Sequence, residues 1–169
     1  MADEQTNNPK ENGESNGESK APQFAIDRIF VKDISLETPK GLDAFNTKWK
    51  PRVTLDINTA QKALGDARHE VTLRVTATVK DQESEEIYYL VEIKQSGVFL
   101  ATGFAEKDLP RLLATAAPAA LFPYARETID SLVIKAGFPP LRLAPINFEA
   151  LVQAAVKKQQ VGVHSETVQ

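Results

Sequence analysis

The chain has 169 residues, 25% of them charged and 42% hydrophobic, values of an ordinary globular domain with a core of its own. A net charge of −3 gives no sign of a nucleic-acid binder that works by neutralising phosphates, and suits basic partners instead. Without cysteine there is no disulfide framework, no thiolate nucleophile and no Cys-ligated zinc or iron–sulfur centre.

Residues 1–22 are mostly Asn, Glu, Gly, Ser and Lys, with too little apolar surface to offset their ordering entropy, so a disordered N-terminal tail is expected. The opening MADEQTNNPK lacks the basic and apolar regions of a signal peptide. No apolar run approaches the roughly 20 residues that span a bilayer. A cytoplasmic protein without membrane insertion is expected, folded over 23–160 and followed by a flexible tail over 161–169.

The first predicted strand is FAIDRIFV (24–31), with Phe24, Ile26 and Phe30 on one face. FNTKWKP (45–51) then carries Phe45 and the only Trp of the chain. Trp49 there fits either a binding anchor or a lid on the rim of the core. VTLDI (53–57) sets Val53, Leu55 and Ile57 on one face, read either as half-buried core or as a strip that accepts apolar segments of another chain. VTLRVTATV (71–79) alternates most cleanly, with Val71, Leu73, Val75, Ala77 and Val79 pointing one way. KDQESEE (80–86) makes a polar turn, and IYYLVEI (87–93) divides into Ile87, Tyr89, Val91 and Ile93 against Tyr88, Leu90 and Glu92. No helix-length crossover separates these strands, so they pair antiparallel.

Helices follow. From about 106 to 136, Leu109, Leu112, Leu113, Phe122, Ala125, Ile129, Leu132 and Val133 recur three and four apart. Pro118 and Pro123 argue for a break or kink, because each removes a backbone donor. Gly137 fits the C-terminal cap, and Pro139 and Pro140 stop the helix. Asn147 caps the last helix, Ile146 and Leu151 suit a hydrophobic staple, and Phe148, Leu151, Val152, Ala155 and Val156 form its stripe. Lys157 and Lys158 suit the negative end of its dipole. Strands first and helices second make an α+β fold, a four-stranded antiparallel sheet with helices on one face. Tyr88 and Leu90 project from the other face, which points to an interface.

Catalytic signatures are missing. There is no Gly-rich phosphate loop and no nucleophile elbow. The two histidines, His69 and His164, are far apart in the chain and read as surface residues. The acidic run DQESEE (81–86) lacks the glycine and spacing of an EF-hand and reads as a solvated turn. Tyr124, Arg126 and Glu127 lie one to three apart on a helix, so they diverge instead of meeting on one substrate atom. Arg126 and Asp130 are spaced for an i,i+4 pair. An enzyme or small-molecule binder with its pocket between sheet and helix would want convergent polar groups, whereas these strands supply Val, Leu and Thr. A plain oligomeric scaffold is the third class.

KDISLETP (32–39), LFPYARETI (121–129) and LRLAPINFEAL (141–151) resemble three motifs of SecB, the bacterial protein-export chaperone family. EVTLRVTAT (70–78) and VEIKQSGVF (91–99) are similar to its central strands, and the resemblance covers about 24–156. It implies an ATP-independent chaperone without cofactor, assembled as a homotetramer (a dimer of dimers). Such a chaperone holds unfolded secretory preproteins in apolar grooves and delivers them to the SecA translocation ATPase. Carried over by residue, the resemblance implies SecA contacts at Asp33, Glu37, Leu90 and Glu92. The partner there is a basic, zinc-binding C-terminal segment of SecA, so the zinc belongs to SecA and no metal to this chain. Client contacts are implied at Trp49, Val53, Leu55, Ile57, Val152 and Val156, and an effect on assembly at Val91, Ile93 and Gln95. The long helix, with AALFPYARETIDSLV, is implied to pack subunit on subunit.

Overall fold

A computed structural model describes residues 21–164, with side chains as far as Lys157. Four strands run in order β1 (Gln23–Glu37), β2 (Pro51–Gly65), β3 (Arg68–Asp81) and β4 (Ile87–Thr102), followed by α1 (Leu109–Lys135) and α2 (Phe148–His164). The sheet order is β1-β4-β3-β2 with every pair antiparallel, a Greek key in which the long 38–50 connection carries the chain from one edge to the other. The α+β architecture is as expected. The tails expected over 1–22 and 161–169 lie mostly outside the described residues. Where they overlap them, β1 neighbours one and α2 runs on to His164 through the other, so Lys157 is well inside the helix and not at its end.

The central strands form because their alternation is strict. Val71, Leu73, Val75, Ala77 and Val79 of β3 are fully buried, as are Tyr89, Val91, Ile93 and Phe99 of β4. Over them lies α1, whose Leu113, Ala117, Leu121, Ala125, Ile129 and Val133 recur at every fourth position and are buried to the last residue. That unbroken stripe explains why, of the break or kink expected, the break does not occur. Pro118 and Pro123 both sit inside one continuous helix, and Pro123 does not start it. An internal proline costs about 3 kcal/mol, against burial of order 1.5–3 kcal/mol for each large side chain of the stripe.

The helix ends as expected at Gly137 (φ 89°). Phe138 N–H reaches Val133 O at 3.1 Å and Gly137 N–H reaches Ile134 O at 3.0 Å, a Schellman cap. Its partner contact is an aromatic cluster: Phe138 is stacked by Phe45 at 4.8 Å and met at a tilt by Tyr89 at 4.7 Å and Trp49 at 5.8 Å. Asn147 caps α2 through Oδ1, which accepts from Ala150 N–H at 3.0 Å. The staple fails in one half, since Leu151 is exposed. The Arg126–Asp130 pair does not form either: the Asp130 carboxylate accepts from Arg142 N–H at 2.9 Å, holding a residue of positive φ.

Candidate functional site

The face of the sheet opposite α1 collects the acidic residues. Pairing of β1 with β4 sets Glu37 against Leu90, Ser35 against Glu92 and Asp33 against Lys94. Directly opposed residues of an antiparallel pair share a face. Asp33, Glu37, Leu90 and Glu92, up to 59 residues apart in the chain (92 − 33), therefore form one patch. Glu37 and Asp33 are exposed, and Leu90 and Glu92 half-buried. Thr76 on β3 donates to Glu92 Oε2 at 2.8 Å and aims its carboxylate. Lys94 donates to Asp33 Oδ2 at 2.8 Å, which holds the Asp33 carboxyl below and the Lys94 ammonium above their ordinary values.

Tyr88 does not belong to this exposed patch. It lies on the outer face but is only 1% exposed, with the Trp49 ring tilted over it at 4.6 Å. Its hydroxyl sits 2.5 Å from Asp81 Oδ2 and 3.1 Å from Lys48 O. Asp81 is committed to the turn, accepting also from Glu83 and Ser84 N–H, and these bonds, led by the Tyr88 hydroxyl, press its carboxyl far below the usual range. Lys40, Lys50 and Arg52 pair with Glu86, Glu83 and Glu85. The acidic turn thus latches the 38–50 connection, and among the described residues no His, Cys, Asp and Glu group suits a metal ion. Trp49 closes the rim of the core and keeps one edge exposed.

The strip on β2 faces the α1 side, since Val53, Leu55 and Ile57 oppose Val79, Ala77 and Val75. Yet α1 lies over β3 and β4 and barely reaches β2. Val53 is 45% and Leu55 37% exposed, while Ile57 is half-buried against the core. Ile57 is thus half-buried core, and Val53 and Leu55 are open apolar surface. In α2, Phe148 anchors the helix edge-on to Phe122 at 6.1 Å, and beyond it Val152 is half-buried and Val156 exposed. Within one chain α2 makes its packing contacts with α1, so these valines do not share a groove with the β2 strip. A cleft of about 540 Å³ between α1 and the start of α2 is lined by Ala116, Ala119, Pro145, Ile146 and Phe148, and its one ionisable group, Glu149, is tied to Arg111. This lining offers no convergent acid–base groups.

A family model described as "Preprotein translocase subunit SecB" matches residues 17–159. The chain belongs to the SecB family. The Protein-export protein SecB of Pseudomonas fluorescens (strain SBW25) is 47% identical over 90% of this chain and 94% of its own. That of Marinobacter nauticus is 46% identical over 82% of this chain and 83% of its own. The Mycobacterium tuberculosis Rv1957 SecB-like chaperone, solved with a ChAD peptide from the Rv1956 HigA1 antitoxin, is similar in fold. Its TM-score is 0.59 at 18% identity, over 73% of this chain and 90% of that one. The family consists of protein-export chaperones and not of enzymes, and this chain is a protein-export chaperone.

Within this SecB subunit, Val91, Ile93 and Gln95 are not on a free surface. All three lie under α1, and Gln95 is 2% exposed with its Nε2 donating to Phe30 O at 2.9 Å. Any influence on assembly would act through the seating of α1 and β1. Sequence reasoning passed over Lys94 and Phe138. Period-two alternation from Leu90 and Glu92 already puts Lys94 on the acidic face, and the residue after a Schellman glycine is commonly apolar and buried.

Proposed function

We propose that this protein holds unfolded secretory preproteins without ATP and passes them to SecA, using two surfaces on opposite sides of one sheet. Clients engage the open strip at Val53 and Leu55, with Ile57 beneath, the edge of Trp49, and Val152 and Val156 on α2. SecA engages Asp33, Glu37, Leu90 and Glu92. The observation that carries this reading is the β1–β4 register, which gathers the four SecA candidates on the face α1 leaves bare. Carboxylates there steer a cationic segment, and Leu90 adds apolar contact.

The working unit is a cytoplasmic homotetramer, a dimer of dimers. Ile26, Val31 and Ile34 on edge strand β1 and Tyr124 on α1 are exposed apolar groups, which supports subunit packing there. Because Val152 and Val156 lie apart from the β2 strip within one chain, a continuous client path needs neighbouring subunits. Each short apolar segment binds weakly, and a long client gains by engaging several sites at once. Apolar and main-chain contacts demand little of client sequence. The test is Glu92→Lys, which should weaken SecA binding and leave capture of an unfolded preprotein near the wild-type level. Equal loss of both would show that the two surfaces are not separate.

A further inference from the structure

Lys94 occupies the acidic patch itself. Its ammonium is 2.8 Å from Asp33 Oδ2 and 3.9 Å from Glu92 Oε1, which is where a cation arriving on this face would sit. Across the β3–β4 ladder it is directly opposed by Arg74. Arg74 is exposed and has no ion pair among the described residues. Like charges opposed across strands repel, so Arg74 presses the Lys94 ammonium toward β1 and onto Asp33. Glu37, by contrast, has no ion pair among the described residues and is exposed. The patch therefore offers an incoming cation one open carboxylate and two that already share a lysine.

We propose that Lys94 is an internal competitor for the partner's cation, masking Asp33 and Glu92 until a lysine or arginine of the docking segment displaces it. This rests on the acidic face being the SecA surface. Masking keeps the patch from capturing any stray basic segment and makes release easier, since Lys94 returns as the partner leaves. The specificity of the face then resides in a segment with enough basic groups to engage Glu37 and displace Lys94 together.

Lys94→Gln removes the competitor while keeping length and polarity, and Arg74→Gln removes an equal charge that touches no carboxylate of the patch. Binding of full-length SecA and of an oligolysine peptide is titrated for the wild type and both variants at low and high salt. Lys94→Gln should tighten SecA binding about two- to five-fold, the factor an exposed ion pair corresponds to, with the gain shrinking as salt screens it. Arg74→Gln should tighten it clearly less. Adding Asp33→Asn to Lys94→Gln should remove most of the gain. Unchanged or weaker binding by Lys94→Gln overturns the proposal, and so does an equal gain from Arg74→Gln, which would reduce the effect to net charge. If SecA binds the wild type and Glu92→Lys equally, the assignment of the face itself fails. If Glu92→Lys abolishes binding while Lys94→Gln leaves it unchanged, only the masking role fails.

Discussion

Replacing Val53 and Leu55 together by alanine separates client affinity from fold stability. Full burial of a Val or Leu side chain is worth about 1.5–3 kcal/mol. In this chain 45% of Val53 and 37% of Leu55 remains open to be covered by a client. Scaling by those fractions and keeping the β-carbon contribution, the double variant should lose about 1–2 kcal/mol of client binding, or roughly 5- to 30-fold in Kd. Stability should fall by less than in a core truncation, because both side chains are only partly covered in the free protein. The contrast is Leu73→Ala on the neighbouring strand, where the side chain is fully buried and the cavity should cost about 2–5 kcal/mol of folding. The assay titrates an unfolded preprotein fragment against each variant, with urea unfolding followed by the fluorescence of Trp49. Client affinity within twofold of wild type, joined to a stability loss as large as that of Leu73→Ala, would move Val53 and Leu55 back into the core and refute the strip.

Two further outcomes test the scaffold behind the sites. Gly137→Ala forces a side chain into a left-handed conformation and brings its β-carbon to 3.2 Å from Phe45 Cζ, so urea unfolding should show a loss of about 1–2 kcal/mol; an unchanged midpoint would mean the cap is not strained. Burial, with a smaller contribution from Asp130, pushes the Tyr89 hydroxyl from 10.0 up to about 12. The folded state then holds this proton more tightly than the unfolded chain. Its contribution is complete below pH 10 and is lost as pH rises toward 12, so the wild type should lose stability over that window more steeply than Tyr89→Phe; parallel curves would contradict the burial.

Much of the fold was legible from the residues, and the failures have local causes. The β3 alternation is strict because one face is sealed by α1, so its period shows plainly. In β1 the register slips between Ile26 and Arg28 and again between Val31 and Asp33. A bulge inverts the parity of the residues beyond it, and Phe30, expected beside Phe24 and Ile26, opposes Ser96 on the outer face instead. The bulges also hide that β1 runs through KDISLE to Glu37, which is how Asp33 and Glu37 come to flank Leu90 and Glu92. In β4 the alternation is read only over 87–93, while the resemblance to a central strand of the family extends over 91–99. The strand continues to Thr102, since a β-carbon at Gly97 would meet Leu121 Cδ2 at 2.9 Å, so the glycine marks the close seat of α1 and not a bend. The prolines of α1 left a break or a kink open, and the break is absent because a long buried stripe outweighs a local donor loss. Exposure of Val53 and Leu55 was undecidable from alternation alone, because it depends on how far one helix reaches across the sheet.

Holding unfolded exported proteins without a nucleotide is the activity that everything above converges on. Dilution of a denatured preprotein into buffer without ATP, with this protein in stoichiometric amount, should leave light scattering near baseline and the preprotein competent for later transfer to SecA. Aggregation at the rate seen without the protein would rule such holding out.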